Sequence, residues 1–400
     1  MSPFLLLCAA GLSAIFSSTI AKSPVLPLFA SHLGADAAAV GSVAAVSAFT
    51  GVLFSIPVGM LSDRLGRRKM LLCSALVFAT APFFYPFVTK LWQLALVRFY
   101  HGLATAAFVP VAMAHVADLF HEERGERLGW FSTATLLGRF VAPLAGGTLI
   151  GLLAFNPSLS YKAVYTLSGL AGVLALFFIL RVHEPEKSAQ RHQSWAEGFQ
   201  AFRSVVSNPT ILVTSSTEAA ILFAYGTFET FLPLYALGRG LNAYQVGICL
   251  AAQVISLALT KPIMGRLSDR HGRPPQIFAG ALLGAVAIGG FALFGSFVPF
   301  LVLSVLFGIC MSTLTSATSA FIADLSRTAR GSAMGVLGSI MDIGHTTGPL
   351  VAGLVAGSLG YSFSFISASA VLVGVALVFA AVVLQKKQGS SENDIDVTNT

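Results

Sequence analysis

Twelve apolar runs, each about 20 residues or longer, follow one another along this chain of 400 residues. About 20 consecutive apolar residues in a helix cross the hydrocarbon core of a bilayer. Backbone groups in hydrocarbon must find partners within their own segment, which makes such runs helical. The sequence therefore predicts twelve membrane-spanning helices, numbered here as spans 1 to 12. Their predicted bounds are 5–31, 37–61, 70–89, 91–117, 127–153, 162–181, 209–237, 242–266, 275–295, 297–322, 331–357 and 360–385.

Charged side chains are scarce outside the connections between these runs. Only 10% of the residues are Asp, Glu, Lys or Arg, against roughly 25% in soluble globular proteins. The formal net charge of +7 comes from short basic clusters, which favours membrane topology over a nucleic-acid-binding face. Four cysteines without CxxC spacing indicate neither a disulfide framework nor a zinc site.

Lys and Arg alternate between the two sides of the predicted bundle. The even-numbered connections and the C-terminal tail hold seventeen of the 24 basic residues, the odd-numbered connections hold three, and four lie inside spans. Basic residues concentrate in cytoplasmic loops. Both termini are therefore expected in the cytoplasm, and the chain is expected in the inner (cytoplasmic) membrane as a multi-pass protein.

The stretch GMLSDRLGR at residues 59–67 returns as GRLSDRHGR at residues 265–273, with seven of nine positions identical at an offset of 206. The same offset pairs the segment ADL at 117–119 with ADL at 323–325. A constant offset predicts two six-span bundles in the same orientation. The predicted organisation is an N-terminal bundle over 1–182, a cytoplasmic linker over 183–208, a C-terminal bundle over 209–386 and a cytoplasmic tail over 387–400.

The repeated loop resembles the signature sequence between the second and third helices of the major facilitator superfamily. That resemblance implies an all-α polytopic fold with twelve helices in two halves, and a loop acid that secures the closed cytoplasmic side. The second copy departs from the pattern at Pro274-Pro275, where a trailing basic residue is missing. This copy is therefore expected to secure the closed cytoplasmic side less firmly. The positions that carry the motif are Gly59, Asp63, Arg64, Gly66, Arg67, Asp269 and Arg270.

Span 5 carries a second signature, G-x8-G-x3-[GA]-P-x2-G-G, which resembles the antiporter motif of major facilitator drug–proton exporters. The alternative interpretation is close packing of small residues, as in any polytopic bundle. Span 4 adds Arg98 and Gly102, which resemble an R-x3-G element associated with proton transfer in this family. The matching positions in span 5 and its echo in span 11 include Gly138, Pro143, Gly146, Gly147, Gly348 and Pro349.

Ionisable residues inside the spans are confined to spans 1, 4, 5, 7, 8 and 11. Each commonly costs about 2.5–3.5 kcal/mol on insertion, so it is expected to face a cavity or a partner. Spans 3, 6, 9 and 12, which stand outside in the superfamily fold, have no charged residue in their interiors. The expected proton-coupling residues are Glu229, Glu218, Asp342 and Arg98. The expected cavity residues are Lys22, His101, Arg139, Tyr225, Lys261 and His345.

Span 7 contains two carboxylates on one face, because Glu218 and Glu229 lie about three helical turns apart. Stacked carboxylates could relay a proton; the alternative is that each is paired with an intramembrane cation. Lys22 lies one position from the repeat mate of Glu229, which predicts a Lys22–Glu229 pair near the outer face. His101 and His345 are interpreted as polar cavity lining and not as metal ligands.

These features predict a secondary transporter, not an enzyme, that exports a small organic molecule in exchange for protons by alternating access. The alternative within transport is proton-coupled uptake of an anionic or zwitterionic solute or a metal chelate. A transporter-like receptor is a rival from another class, but the short linker and tail offer it no partner domain. No cofactor, metal or nucleic acid is expected, and the lack of a Walker motif disfavours direct ATP use. The expected partners are substrate, protons and the lipid bilayer, with the chain acting as a monomer.

Overall fold

The computed structural model describes residues 2–120, 123–182, 207–326 and 330–384. These residues form helices and short connections without a β-strand, and twelve helical passes match the twelve predicted spans. Ten of the described helical segments are long and apolar enough to cross a membrane. The predicted all-α fold is therefore confirmed. The linker up to residue 206 and the tail over 387–400 fall outside the described residues.

The bounds of the helices differ from those of the predicted spans by a few residues, in either direction. Spans 4 and 7 contain 29 and 30 residues, more than the roughly 20 that cross the hydrocarbon core, so their ends project beyond it. In order, the passes are Pro3–Ile20 with Val25–His32, Ala37–Leu65, Arg67–Thr80 with Ala81–Phe87, Leu91–Leu119, Arg124–Leu152, Pro157–Leu180, Pro209–Gly238, Ala243–His271, Arg273–Gly290, Phe297–Leu325, Arg330–Leu359 and Tyr361–Phe379 with Ala380–Leu384.

Span 1 is interrupted at its charged residue. The helix Pro3–Ile20 begins at Ser2, whose hydroxyl accepts a hydrogen bond from the Leu5 backbone N–H at 3.3 Å. A second helix begins after Pro24, which lacks the N–H needed to continue the first one. Lys22 therefore leaves the backbone from a break between two helices.

The two halves of the chain pack mainly within themselves. Span 1 packs against spans 5 and 6, and its repeat mate, span 7, packs against spans 11 and 12. The halves join where span 2 lies along span 11 and where span 5 lies along span 8. These two junctions are equivalent under the repeat, which supports the proposed division into two six-span bundles.

Tight turns at Gly66 and Gly272 connect span 2 to span 3 and span 8 to span 9. Their φ angles are +100° and +88°, in the left-handed region that glycine adopts at little cost. Backbone geometry thus explains why the glycine is repeated at the 206-residue offset. The end of the bundle that holds these turns is called the motif side here, and the other end is called the opposite side.

Candidate substrate cavity between the two halves

A cavity of about 280 Å³ lies between the two halves. Its walls come from spans 1, 2, 4, 5, 7 and 11, and it extends from the level of Lys22 toward the motif side. Seven of the ten residues predicted for proton coupling or for the cavity line it. These seven are Lys22, Arg98, Arg139, Tyr225, Glu229, Asp342 and His345.

A polar network joins the halves at the end of this cavity that lies farther from the motif side. The Lys22 amine lies 2.6 Å from Oε2 of Glu229 and 3.1 Å from Nε2 of His345. The ion pair predicted between spans 1 and 7 is therefore present. Glu229 is only 6% exposed, so its charge depends on Lys22 for compensation.

His345 completes the network on span 11. Its Nε2 lies within hydrogen-bond distance of the Lys22 amine. The distance of 3.6 Å from Nε2 to the Glu229 carboxylate is too long for a hydrogen bond. The Tyr225 ring packs beside the imidazole, with centroids 5.6 Å apart. The sequence predicted His345 as polar cavity lining but not its contact with Lys22.

Two of the predicted cavity residues lie elsewhere. His101 is buried in the first half, where the Tyr85 hydroxyl lies 3.3 Å from its Nδ1 and Phe78 packs against its ring. Its side chain therefore points away from the cavity, into the packing between spans 3 and 4. Lys261 is exposed on span 8 and is absent from the cavity wall.

Glu218 lies on the motif-side part of span 7 and faces span 10. Its side chain is 1% exposed and accepts a hydrogen bond from the Thr318 hydroxyl. Among the described residues no cation lies within ion-pair distance of it, and it does not line the cavity. The two carboxylates of span 7 therefore have different surroundings: Glu229 forms an ion pair between the halves, whereas Glu218 is held within one half.

Three charged residues of the cavity wall form no ion pair within the described part of the chain. They are Arg98, Arg139 and Asp342. Arg98 is only 2% exposed, and its Nε has no hydrogen-bond partner among the described residues. Arg139 is exposed to the open cavity. The first half thus contributes two guanidinium groups and the second half one carboxylate.

The loop motif supplies ion pairs at the motif side. Nε of Arg67 lies 3.2 Å from the Asp118 carboxylate, and its repeat mate Arg273 lies 2.5 Å from Asp324. Each pair ties the start of one span to the end of the next within its own half. Sequence reasoning found the repeated ADL segment but not that its aspartate is the partner of the motif arginine.

Of the other loop residues, those whose side chains the structure describes form no ion pair between the halves. Asp269 forms an ion pair with Arg273 at 3.1 Å, inside the second half. Arg64 and Arg270 are exposed. Gly59 and the Asp63 side chain lie outside what the structure describes, so the predicted role of Asp63 stays a prediction.

Glycines bring the two halves into backbone contact near the opposite side. A Cβ atom on Gly147 of span 5 would lie 3.0 Å from Cα of Gly247 in span 8. At the equivalent junction, a Cβ on Gly41 of span 2 would lie 3.2 Å from Cα of Gly353 in span 11. Larger residues at these crossings would force the halves apart.

The remaining positions of the antiporter-like motif also lie at helix crossings. A Cβ on Gly138 would lie 3.0 Å from the Phe16 backbone nitrogen, and one on Gly146 would lie 3.1 Å from Cδ of Pro24, both in span 1 or its break. In span 11, a Cβ on Gly348 would lie 3.0 Å from Cα of a span 7 residue. The carbonyls of Pro143 and Pro349 face Gly247 and Gly41 across the two junctions between the halves. Close packing of small residues therefore accounts for the geometry of the motif.

The halves diverge toward the motif side. A Cβ on Gly129 of span 5 or on Gly265 of span 8 would meet no atom within 4 Å. Most residues of span 8 from 259 onward are exposed, whereas residues 243–256 are mainly buried. The cavity is therefore closed at the opposite side and open at the motif side.

A sequence model of the Major Facilitator Superfamily matches residues 6–255 and 240–397. The chain belongs to this superfamily. As a superfamily member it is a multi-pass membrane transporter of small molecules and not an enzyme, as the sequence predicted. Within the part that the structure describes, no group of three His, Cys, Asp or Glu side chains could hold a metal ion.

Several relatives of this superfamily member are multidrug transporters by name. Multidrug resistance protein MdtG of Citrobacter koseri is 30% identical over 363 residues, covering 86% of this chain and 85% of that protein. The multi-drug resistance efflux pump PmrA of Streptococcus pneumoniae is 26% identical over 362 residues, covering 86% of this chain and 87% of that protein.

Solved structures share the fold of this superfamily member. The nucleoside transporter NupG has a TM-score of 0.82 at 16% identity and covers 96% of this chain and 100% of its own. A bacterial homologue of the human lysosomal transporter Spinster, in an inward-facing and occupied conformation, has a TM-score of 0.80 at 17% identity, covering 96% of this chain and 97% of its own. At these identities the likeness concerns the fold alone.

Proposed function

We propose that this transporter exports a small organic molecule in exchange for protons, by alternating access through the central cavity. The observation that carries the proposal is the Lys22–Glu229 ion pair, which joins the first half to the second where the cavity is closed. An ionisable residue in this setting is costly and usually has a function. A carboxylate that links the halves only while ionised makes their separation depend on a proton.

The ion pair would act as a latch on the empty transporter. With Glu229 ionised and no substrate bound, Lys22 holds the opposite side closed, so the unloaded protein does not cycle. A substrate whose charges bind beside this pair in the same cavity weakens the pair and releases the latch, and so does a proton on Glu229. Only the loaded and the protonated forms then change orientation, which is the requirement for exchange of substrate against protons.

We propose that the motif side is cytoplasmic, with both termini on that side, and that the transporter works as a monomer in the inner membrane. The supporting observation is the seventeen-to-three distribution of Lys and Arg between the two sides. The open side of the cavity would then face the cytoplasm. This is the side from which an exporter takes up its substrate, and the names of the relatives favour export.

Asp63 and Asp269 are proposed to secure the motif side when it closes. In this structure Asp269 is paired within its own half, as expected while the motif side is open. Asp63→Asn should therefore slow transport in vesicles while substrate affinity in detergent stays within a few fold. A large loss of affinity with unchanged flux would contradict this gating role.

Flux measurements in proteoliposomes test the proposed exchange. Compounds that raise the thermal stability of the purified protein provide the substrates, and an internal dye reports pH. Export predicts that substrate and protons move in opposite directions, and that collapse of the pH gradient abolishes uphill transport. Transport that persists without a pH gradient and follows a sodium gradient instead would overturn the proposal.

A second candidate is proton-coupled uptake of an anionic or zwitterionic solute, or of a metal chelate, through the same cavity. Buried Arg98, which has no carboxylate partner among the described residues, favours an anionic group on the solute. The same flux experiment separates the two, because uptake would carry substrate and protons in one direction.

A further inference from the structure

We infer that the transported molecule is dipolar, with an anionic group that binds Arg98 and Arg139 on the first half and a cationic group that binds Asp342 on the second. This inference rests on the proposed transport function and names the substrate class that its cavity would take. It holds for export and for uptake alike, because it concerns binding and not direction.

The unpaired charges of the cavity wall differ in sign between the two halves of the protein. Lys22 and Glu229 compensate each other at 2.6 Å, so neither needs a ligand in the empty protein. The charges left over are the two guanidinium groups of Arg98 and Arg139 on spans 4 and 5 and the carboxylate of Asp342 on span 11. A ligand that compensates all of them must carry both signs and reach from one half to the other.

Of these three charges, the Arg98 guanidinium is the most deeply buried, and it has no carboxylate partner among the described residues. A guanidinium carries five N–H donors in a fixed planar fork. At 2% exposure the group is shielded from bulk water. One donor contacts the Tyr85 hydroxyl, whereas Nε has no hydrogen-bond partner within the described residues. A planar or tetrahedral oxyanion, such as a carboxylate or phosphonate, matches this fork with two parallel hydrogen bonds. Arg139 is exposed to the same cavity and adds a second positive charge.

Asp342 lies on the cavity wall where span 11 approaches span 2 of the first half. A Cβ atom on Gly51 of span 2 would lie 3.9 Å from Oδ2 of Asp342, so the carboxylate lies beside the first half. In the described part of the chain no cation lies within ion-pair distance of it. A protonated amine of the ligand would bind this carboxylate from the cavity.

The rest of the lining favours a polar ligand. Hydroxyl groups come from Ser18, Thr19, Ser47 and Thr105, and the rings come from Tyr225 and His345. The described lining contains no Phe, Trp, Leu, Ile, Val or Met side chain. Ala48, Ala106 and Pro110 add apolar contacts beside these polar groups. A compact dipolar molecule with a small apolar body would therefore find partners for both charged ends and for its middle.

A matched set of four small probes tests the inference by equilibrium binding to the purified full chain. The dipolar probe is 4-(aminomethyl)benzoate. Its amide, 4-(aminomethyl)benzamide, keeps only the cation; 4-(acetamidomethyl)benzoate keeps only the anion; and the doubly blocked compound is neutral. Analogues with the amine on a two-carbon or three-carbon arm vary the distance between the charges. For at least one arm length, the dipolar probe should bind about tenfold or more tightly than either singly charged one, because each charged hydrogen bond contributes that much.

Two variants assign the two ends of the probe. Asp342→Asn should remove the preference for the dipolar probe over the anion-only probe, while the preference over the cation-only probe remains. Arg139→Gln should weaken the preference over the cation-only probe, because only Arg98 then binds the anion, while the preference over the anion-only probe remains. The control variant is Arg124→Gln, which removes an exposed arginine at the motif-side start of the same span and should leave both preferences unchanged.

Each of the other outcomes overturns the inference. Equal affinity for the dipolar and anion-only probes removes the role of Asp342, and equal affinity for the dipolar and cation-only probes removes that of the arginines. Absence of binding by every probe at every arm length overturns it as well. Failure of the proposed function would look different from failure of this inference. A protein that selects dipolar probes but shows no proton-coupled flux would refute proton exchange and leave the substrate class intact.

Discussion

Lys22 and Glu229 lie one position apart under the 206-residue repeat, and their side chains meet at 2.6 Å. Spans 1 and 7 are repeat mates that face each other across the cavity, so a charge on one lies opposite the corresponding position of the other. The repeat therefore places residues of opposite sign at the same depth. The contact is largely shielded from solvent, because the exposed fractions of the two side chains are 22% and 7%.

We predict that Glu229→Gln and Lys22→Met each destabilise the protein strongly and that the double variant regains part of the loss. Removing one partner leaves the other charge buried and unpaired, which commonly costs about 3–5 kcal/mol. A double-mutant cycle on stability in detergent measures the coupling. Losses that simply add would show that the two side chains do not interact.

The pair Arg127–Glu123 provides a matched control for this cycle. Its nitrogen and oxygen atoms are 2.5 Å apart, but the side chains are 32% and 55% exposed. Water and side-chain entropy reduce the coupling of such exposed pairs to about 1 kcal/mol or less. A coupling for Lys22–Glu229 no larger than that of the control would contradict its proposed role as a latch.

Much of the fold could be predicted because it depends on patterns of residues along the sequence. Hydropathy alone locates the spans, and the constant offset predicts that Lys22 and Glu229 face each other. The same offset correctly relates Gly66 to Gly272, whose positive φ angles repeat. Such features depend on spacing along the chain and not on the rotation of individual helices.

The surroundings of individual side chains could not be predicted in this way. His101 lies on a span that lines the cavity, but its ring packs against Phe78 on the far side of the helix. Glu218 shares a face with Glu229, but it meets Thr318 of span 10. These contacts depend on the rotation and tilt of each helix, which tertiary packing decides.

We predict that Gly147→Ala opens the opposite side. The added Cβ would lie 2.5 Å from the carbonyl of residue 243 and 3.0 Å from Cα of Gly247, and these backbone atoms yield only if spans 5 and 8 separate. The distance between spin labels at exposed Leu152 and Tyr244, measured by double electron–electron resonance, should increase. Gly129→Ala, on the same span, meets no atom within 4 Å and should leave the distance unchanged. An unchanged distance in both variants would show that this crossing does not hold the opposite side closed.

The two motif-side ion pairs should contribute unequally to stability. The Asp118 side chain is 20% exposed in its pair with Arg67, whereas that of Asp324 is 51% exposed in its pair with Arg273. Asp118→Asn should therefore cost about 1–3 kcal/mol, as expected for a buried charged hydrogen bond, and Asp324→Asn about 1 kcal/mol or less. Thermal unfolding in detergent measures both losses. Equal losses would mean that solvent exposure does not control these pairs.

Glu218 tests whether span 7 carries one proton site or two. Glu218→Gln keeps an acceptor oxygen for Thr318 and removes the ionisable group, so stability should change by about 1 kcal/mol or less. If Glu218 relays protons, which is one of the two alternatives that the sequence left open, this variant binds substrate normally but slows uphill transport driven by a pH gradient.

Thr318→Val separates this proton role from a structural one. It retains the carboxyl group but leaves it without its hydroxyl partner, which should cost about 1–3 kcal/mol of stability while uphill transport continues. The decisive comparison is therefore proton-driven flux in the two variants, measured beside substrate affinity and thermal unfolding. Unimpaired flux in Glu218→Gln would assign Glu218 to packing alone and leave Glu229 as the proton site of span 7.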